Sequence, residues 1–360
     1  MGFLGKLLRN IFWGINAIAA ILLIFSAYSS CLNPCIHPVV ACAGLFFPVC
    51  LILNFSFGVF WLIVYRKYVF FPILVLAVCW GSIRTYCPIN WFKTDAPGGS
   101  LKILSYNTRA FGLKASHTKE KSNQVLTYLQ ECDADVICLQ EYIWGGKLKK
   151  KDIDYALRKY RYKHYQSLGK GLNGLGVYSR YPILSAVSIP YKSNRNGSVA
   201  YRIKIGQDTL LVVNNHLEST KILESDVATY QDMVDAPDSQ KLFAGTRKLL
   251  RKLADATVIR SKQTDVLADY IKNAKEENIV VCGDFNDTPI SYTHHVLQKG
   301  LKDAFVESGN GLGISYNQNR LYFRIDHILV SQSMNVYNCT VDKTVNASDH
   351  YPIWCNVSLQ

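Results

Sequence analysis

Between Asn10 and Tyr65 the chain has no Lys, Arg, Asp or Glu, a run of 56 residues without a formal charge. Ordinary water-soluble domains carry about one charged residue in four. A stretch this long without any is membrane material, so the first hundred residues must be read apart from the rest.

Three apolar runs separate within it: Ile11 to Tyr28, Pro38 to Tyr65, and Tyr68 to Ile83. A spanning helix needs about 20 apolar residues. The first two suffice, and the third reaches residue 84 only if Arg84 snorkels and Trp80 and Trp91 sit at the interface. The reading is three spans, at about 11–28, 38–65 and 68–84. A basic start, an apolar core and the small residues of SAYSSC also fit the first run as a secretory signal, but the second run would still hold the chain in the membrane. Lys6 and Arg9 precede the first span, Arg66 and Lys67 lie between the second and third, and Cys31 to His37 has neither Lys nor Arg. The positive-inside bias then places the amino terminus inside. Three spans deliver the following domain outside an inner or plasma membrane; two would leave it cytoplasmic. Residues 1–92 form the membrane region, 93–100 (KTDAPGGS) a turn-rich linker, and 101–360 a single further domain.

Lys and Arg exceed Asp and Glu by 13 over the whole chain, and residues 1–100 contribute +5 of that. The remaining +8 suits an anionic substrate or surface without requiring one. Eleven cysteines show no CxxC and no Cys/His cluster of metal-ligand spacing. Cys138 and Cys282 read as inert buried thiols. Cys339 and Cys355 fall on the last two strand-like runs and can pair if the domain lies in an oxidising compartment.

From Leu101 onward, strand-like runs recur: LKILSYN, ADVICLQE, GLGVYS, VAYRIKIG, TLLVVNNHL, NIVVCGDFN, FRIDHILVS, VYNCTV and PIWCNVSL. Helical patterns fall near Lys119 to Cys132, Gln240 to Lys272 and Tyr292 to Gln298. This is an α/β layered arrangement. The long insertion from Leu217 to Lys272 reads as a solvated helix packed by one face, with its first half, through Phe243, available as a lid.

Strand after strand ends in an acid, an amide or an imidazole: Asn107, Glu141, His216, Asp284 with Asn286, Asp326 with His327, and Asp349 with His350. Collected together, these ends make one polar mouth. Asp284 and Asn286 are two apart, so an extended backbone points both at one face. A carboxylate beside an amide can hold both a water and an anionic oxygen. Mg²⁺ takes oxygen ligands and keeps several waters, so carboxylates such as Glu141 and Asp349 suffice. His350 is a base next to a ligand, and Asp326 can fix its tautomer. His327 points to the opposite pleat face and reads as structural, His294 and His295 as exposed, and Asp303 as a cap or network residue. Arg109, Arg195 and Arg202 are available to a phosphate, although surface charge explains them as well; Arg109 is carried forward as a substrate-binding candidate.

The runs SYNTR, LQE, GVYSRYPI, NNHLES, GDFNDTP, RIDHILVS and SDHYPI, in this order, resemble the successive signatures of the endonuclease/exonuclease/phosphatase superfamily, which includes deoxyribonucleases, apurinic endonucleases and sphingomyelinases. The resemblance covers Leu101 to Leu359 and implies a four-layer α/β/β/α sandwich of two mixed sheets. It implies Mg²⁺, with Mn²⁺ as the alternative, held by Glu141 with Asn107 and Asp349 nearby. Asp284 and Asn286 would position the attacking water and the phosphate. His350, oriented by Asp326, is the favoured general base over Asp284, and His216 would contact the phosphate or the leaving group.

The expectation is a membrane-anchored, metal-dependent phosphodiesterase or phosphatase acting on a lipid headgroup or small phosphoester. A nuclease is the alternative, with Tyr316, Arg320, Tyr322 and Phe323 available to grip a strand. A non-catalytic membrane receptor that keeps the fold is a further alternative, disfavoured because the acid, amide and imidazole set is complete. The partners expected are a phosphorylated substrate and the bilayer, with nucleic acid under the second reading and no protein partner.

Overall fold

A computed structural model describes residues 3–92, 94–118, 121–169, 173–220, 239–318 and 322–359. Lys93, Lys119, Arg320 and most of the first half of the Leu217 to Lys272 insertion, read above as a lid, lie outside the described residues.

Two helices are long and apolar enough to cross a membrane, Phe3–Cys31 and Pro38–Val64. The second begins with a turn at Pro38–Ala41 and a tight 3-10 stretch, Cys42–Phe46, before the regular helix Phe47–Val64. The short third run is not one straight helix: Arg66–Val78 and Trp80–Tyr86 meet at 64°, so it is either one broken span or a re-entrant pair. Asn16 and Asn54 are buried between the first two helices, where Asn16 accepts from the Trp61 indole at 2.8 Å and Asn54 donates to the Ala19 carbonyl at 2.8 Å. Polar groups in an apolar bundle find partners across helices for this reason.

Two six-stranded mixed sheets follow. We number the strands β1 (Leu101–Asn107), β2 (Val136–Gln140), β3 (Tyr162–Ser167), β4 (Gly174–Ser179), β5 (Ile183–Ser188), β6 (Gly197–Ile205), β7 (Asp208–His216), β8 (Asn278–Asp284), β9 (Leu301–Asp303), β10 (Asp326–Ser331), β11 (Asn335–Val341) and β12 (Ile353–Ser358). Their spatial orders are β11-β12-β1-β2-β4-β3 and β5-β6-β7-β8-β10-β9. The parallel pairs β1/β2 and β7/β8 sit centrally, and the other pairs are antiparallel.

Period-two alternation builds the layers. Ile103, Val136, Cys138, Val212, Val280 and Cys282 face the space between the sheets. Leu104, Tyr106, Ile137 and Leu139 turn outward to pack Leu126 and Leu129 of the helix Gln124–Glu131. Leu211, Val213 and Val281 turn the other way, onto Leu267 of the 34-residue helix Ser239–Lys272. Helix, sheet, sheet and helix make the expected four-layer sandwich. Cys339 and Cys355 are both buried and stand as free thiols.

The apolar amino-terminal region is docked on the sandwich. Cys35 Sγ lies 3.6 Å from Ser261 Oγ and Cys42 Sγ 3.7 Å from Thr257 Oγ1, both on the long helix. Ile290 packs in one cluster with Leu23, Phe47 and Val75 of the apolar helices. Gly44 approaches so closely that a Cβ there would stand 1.9 Å from the Ile290 carbonyl oxygen. On the far side of the third run, Asn90 donates to the Val306 and Gly309 carbonyls at 3.1 and 2.6 Å, and Arg324 donates to the Thr85 carbonyl.

Candidate active site

Strand register assembles the polar mouth. In the second sheet His216, Asp284 and Asp326 fall in one row, since Asp284 is the registered partner of both neighbours. In the first sheet Asn107 is registered with Gln140, which puts Glu141 just past the end of β2. His350 arrives from the loop before β12 and bridges to Tyr316.

The side chains then meet. His350 Nδ1 is 2.8 Å from Asp326 Oδ2, and its Nε2 is 3.7 Å from Asp284 Oδ2. Asn107 Nδ2 donates to the same Asp284 oxygen at 3.0 Å. His216 Nε2 stands 3.8 Å from Asp284 Oδ2 and 4.0 Å from Glu141 Oε1. Arg109 Nε pairs with Asp349 Oδ2 at 3.3 Å.

Asn286 departs from the expectation. Strand β8 ends at Asp284, and Asn286 takes a positive φ of 53°, so the two side chains do not project together from one extended strand. Its backbone N–H donates to Asp284 Oδ1 at 2.8 Å and its side-chain amide to the Leu217 carbonyl at 3.0 Å. It holds Asp284 in place and lines the cavity. Glu141 is also left-handed, at φ 47°, and the backbone from Arg109 to Lys114 stays left-handed throughout. Such conformations cost about 1–3 kcal/mol per residue and gather at functional sites.

Burial and charge set the protonation states. Burial opposes the charge on His350, but Asp326 and then Asp284 outweigh it and push the imidazole up to about 10. Burial pushes Asp284 up to about 6, with His350 pulling it down and Asp326 adding to the rise. His216 is lowered by burial, partly offset by Asp284, and is neutral at pH 7. Burial raises Glu141, His350 opposes this, and the Asp349 charge adds to it.

The donor set fits a hard divalent cation. Glu141, Asp349 and Asn107 offer oxygens, the ligand type Mg²⁺ and Mn²⁺ prefer, and the Asp349 charge makes ionised Glu141 more costly until a cation is present. Two other trios among the described residues, Asp284–Asp326–His350 and His294–Asp303–His327, have donor atoms within 4.8 Å of one another. Each contains a His–Asp hydrogen bond of 2.8 Å that accounts for the closeness.

Several supporting residues carry no signal in sequence. Ser348 donates to the Asn107 carbonyl at 2.8 Å and accepts from the His350 N–H at 3.2 Å, tying the end of β1 to the loop that carries His350. Ser315 accepts the Asp326 N–H at 3.0 Å. Gln140 donates to Asn214 Oδ1 at 2.7 Å beneath the site. Tyr316 packs its ring on His350 at 5.2 Å and lines the cavity with Phe323, whereas Tyr322 is exposed. His327 points away, to the Asp287 carbonyl at 3.0 Å, as a structural residue. His294, read as exposed, is buried against Asp303, which also caps the helix Ala304–Ser308. Arg202 pairs with Glu276 and Arg195 is exposed, so neither reaches the mouth.

Residues 104–350 match the Endonuclease/Exonuclease/phosphatase family, and residues 9–86 match a domain of unknown function. The Exodeoxyribonuclease of Bacillus subtilis (strain 168) is 22% identical over 287 residues, covering 70% of this chain and 98% of that protein. The human Nocturnin catalytic domain with bound sulfate anion superposes with a TM-score of 0.51 at 15% identity, covering 75% of this chain and 97% of that one. An endonuclease/exonuclease/phosphatase family protein from Bacteroides thetaiotaomicron gives 0.47 at 17% identity, covering 72% and 95%. At these identities the structural likeness speaks for the fold alone. The family match extends from inside β1 to His350 itself, and the chain belongs to the endonuclease/exonuclease/phosphatase family of phosphoric ester hydrolases.

Proposed function

We propose that residues 101–360 are the catalytic unit of a membrane-anchored hydrolase that cleaves phosphate esters by attack of water, with Mg²⁺, or Mn²⁺ in its place, held by Glu141, Asp349 and Asn107. The observation that carries this reading is the unbroken chain from Asp326 through His350 to Asp284 and Asn107, at 2.8, 3.7 and 3.0 Å. When bound, the metal supplies a positive charge that polarises the phosphoryl group.

The protein's own groups divide the remaining work. His350 is held cationic by Asp326 and presents its Nε2–H to the mouth, where it can hydrogen-bond a phosphoryl oxygen as charge builds there. Asp284, fixed by Asn107 and by the Asn286 N–H, is the acceptor for the proton of the attacking water. This assigns the base to Asp284 in preference to His350, because the imidazole stands between two carboxylates, Asp326 and Asp284, that favour its protonated form. Neutral His216, 3.8 Å from Asp284, is positioned to donate to the phosphate or the leaving oxygen. Asn286 secures Asp284 through its backbone, and Arg109 acts on Asp349 instead of on substrate.

The docking of the membrane region favours three spans. The connection between the first two apolar helices touches the catalytic unit through Cys35, and the opening turn of the second through Cys42, so both lie on one side of the bilayer. A chain that crosses again at Pro38–Val64 must cross once more to return there, and the bent pair Arg66–Val78 with Trp80–Tyr86 is the crossing. With Lys6, Arg9, Arg66 and Lys67 inside, the site faces out of an inner or plasma membrane.

A nuclease is the second reading, favoured by the name of the Bacillus subtilis relative. The full-length protein in detergent is expected to hydrolyse bis-p-nitrophenyl phosphate with added Mg²⁺, to stop with EDTA, and to recover when Mg²⁺ is restored. Hydrolysis indifferent to EDTA overturns the reading.

A further inference from the structure

The mouth opens into a cavity of about 330 Å³ whose two sides differ in chemistry. Its floor is the catalytic set, with Glu141, His216, Asp284, Asp349 and His350. Its wall is apolar: Ala41 and Leu45 come from the membrane region, Leu249 and Leu253 from the long helix, and Phe323 from the segment that leads into β10. Leu45, Leu249, Leu253 and Phe323 are only half-buried, so they present free apolar surface to whatever enters.

Where this wall sits matters as much as its composition. Ala41 and Leu45 belong to the turn that opens the second apolar helix, Pro38–Val64. That turn is locked to the catalytic unit by the Gly44 to Ile290 approach and by Cys42 against Thr257. A bilayer flanking the apolar helices therefore ends beside the wall of the catalytic cavity.

The wall also lacks what a polynucleotide needs. Nucleic-acid grooves neutralise successive phosphates with free Lys and Arg. Among the described residues lining this cavity, Lys and Arg are represented by Arg260 alone. It is buried, and its guanidinium already donates to Asp287 at 3.0 Å and to the Glu218 carbonyl at 2.6 Å.

We propose that the substrate is an amphiphilic phosphoester, a lipid whose phosphate rests on the His350, Asp284 and Glu141 floor while its alkyl or acyl chain lies along Leu45, Leu249 and Leu253 toward the bilayer. The proposal rests on the hydrolytic reading above and names the substrate class for that site. Water's oxygen forms the new bond to phosphorus, the ester P–O bond breaks, and a proton ends on the departing oxygen, giving a phosphate and an alcohol.

The test uses the full-length protein in nanodiscs and alkyl p-nitrophenyl phosphates from ethyl to dodecyl, all below their critical micelle concentrations. The leaving group is constant, so only chain burial changes along the series. Each methylene seated on the wall is expected to raise kcat/KM by up to about fourfold, mainly through KM, until the wall is filled. Leu249→Asp and Leu253→Asp are expected to flatten this dependence. A flat series in the wild-type protein, with the ethyl compound still hydrolysed, overturns the lipid assignment and leaves the hydrolytic reading standing. Single-stranded DNA cleaved in preference to the dodecyl compound overturns it in favour of a nucleic acid. No hydrolysis anywhere in the series overturns both.

Discussion

Asp326 Oδ2 sits 2.8 Å from His350 Nδ1, with both side chains buried and the other Asp326 oxygen free of partners among the described residues. All of that carboxylate's hydrogen bonding to a side chain is thus directed at one imidazole. Replacing it, Asp326→Asn, is expected to lower kcat by about 10²-fold or more with a smaller change in KM. The sign for pH follows from the charges. His350 is held up to about 10 chiefly by Asp326 and Asp284 against its burial, so it stays cationic below that pH and loses its charge above it. Without the Asp326 charge, the alkaline limb of the kcat/KM profile should move to lower pH. An alkaline limb that does not move contradicts the assignment.

Glu141 carries the expectation about metal. Its carboxylate stands at the end of β2 with the Asp349 charge nearby, and a cation relieves both. Glu141→Gln should raise the Mg²⁺ concentration for half-maximal rate by about tenfold or more. Binding of Mn²⁺ followed by electron paramagnetic resonance should weaken in parallel. An unchanged Mn²⁺ affinity would exclude Glu141 as a ligand.

Acid stability is expected to depend on His327. Burial, with the neighbouring His294 charge, lowers it from 6.5 to about 3. Between those values the unfolded chain takes up a proton that the folded protein refuses, so its contribution to stability is present above about 6.5 and is lost as pH falls toward about 3. The denaturant midpoint of the wild-type protein should decline over that window, and His327→Gln should decline less steeply. Equal slopes would place the acid sensitivity elsewhere.

The docked first connection predicts an orientation. A reporter fused after Gln360 that works only in an oxidising, extracytoplasmic compartment should be active, and a cytoplasmic-only reporter at the same place silent. The reverse pattern would require the bent third run to turn back without crossing, and would contradict the contacts at Cys35 and Cys42.

Much of this was legible in the sequence because β1, β2, β7, β8 and β10 are short apolar runs, buried on both faces, that carry the polar residues of the mouth at one end. The strands that escaped notice, Tyr162–Ser167, Ile183–Ser188 and Leu301–Asp303, all lie on sheet edges. The first two are partly exposed on both faces and the last is only three residues long, so none shows such an apolar run. The site residues themselves were visible as strand ends, but their angles were not. Asn286 turns on a positive φ that a strand-based reading cannot supply, and Ser348 and Ser315 matter only through contacts across the fold. The adjacent His294 and His295 look alike in sequence, and only the packing of their helix sends the first toward Asp303. The docking of residues 35–44 onto the long helix joins positions more than 200 apart, which no local pattern encodes.

Asp284 and His350 act as one unit in the proposed hydrolysis. The most direct measurement is kcat of the full-length protein on bis-p-nitrophenyl phosphate for Asp284→Ala, His350→Ala and the double variant, each checked for unchanged thermal unfolding. Each single change should lower kcat by about 10²-fold or more, and the double variant should fall little below the worse of the two. Wild-type rates in either single variant would contradict the assignment of the site.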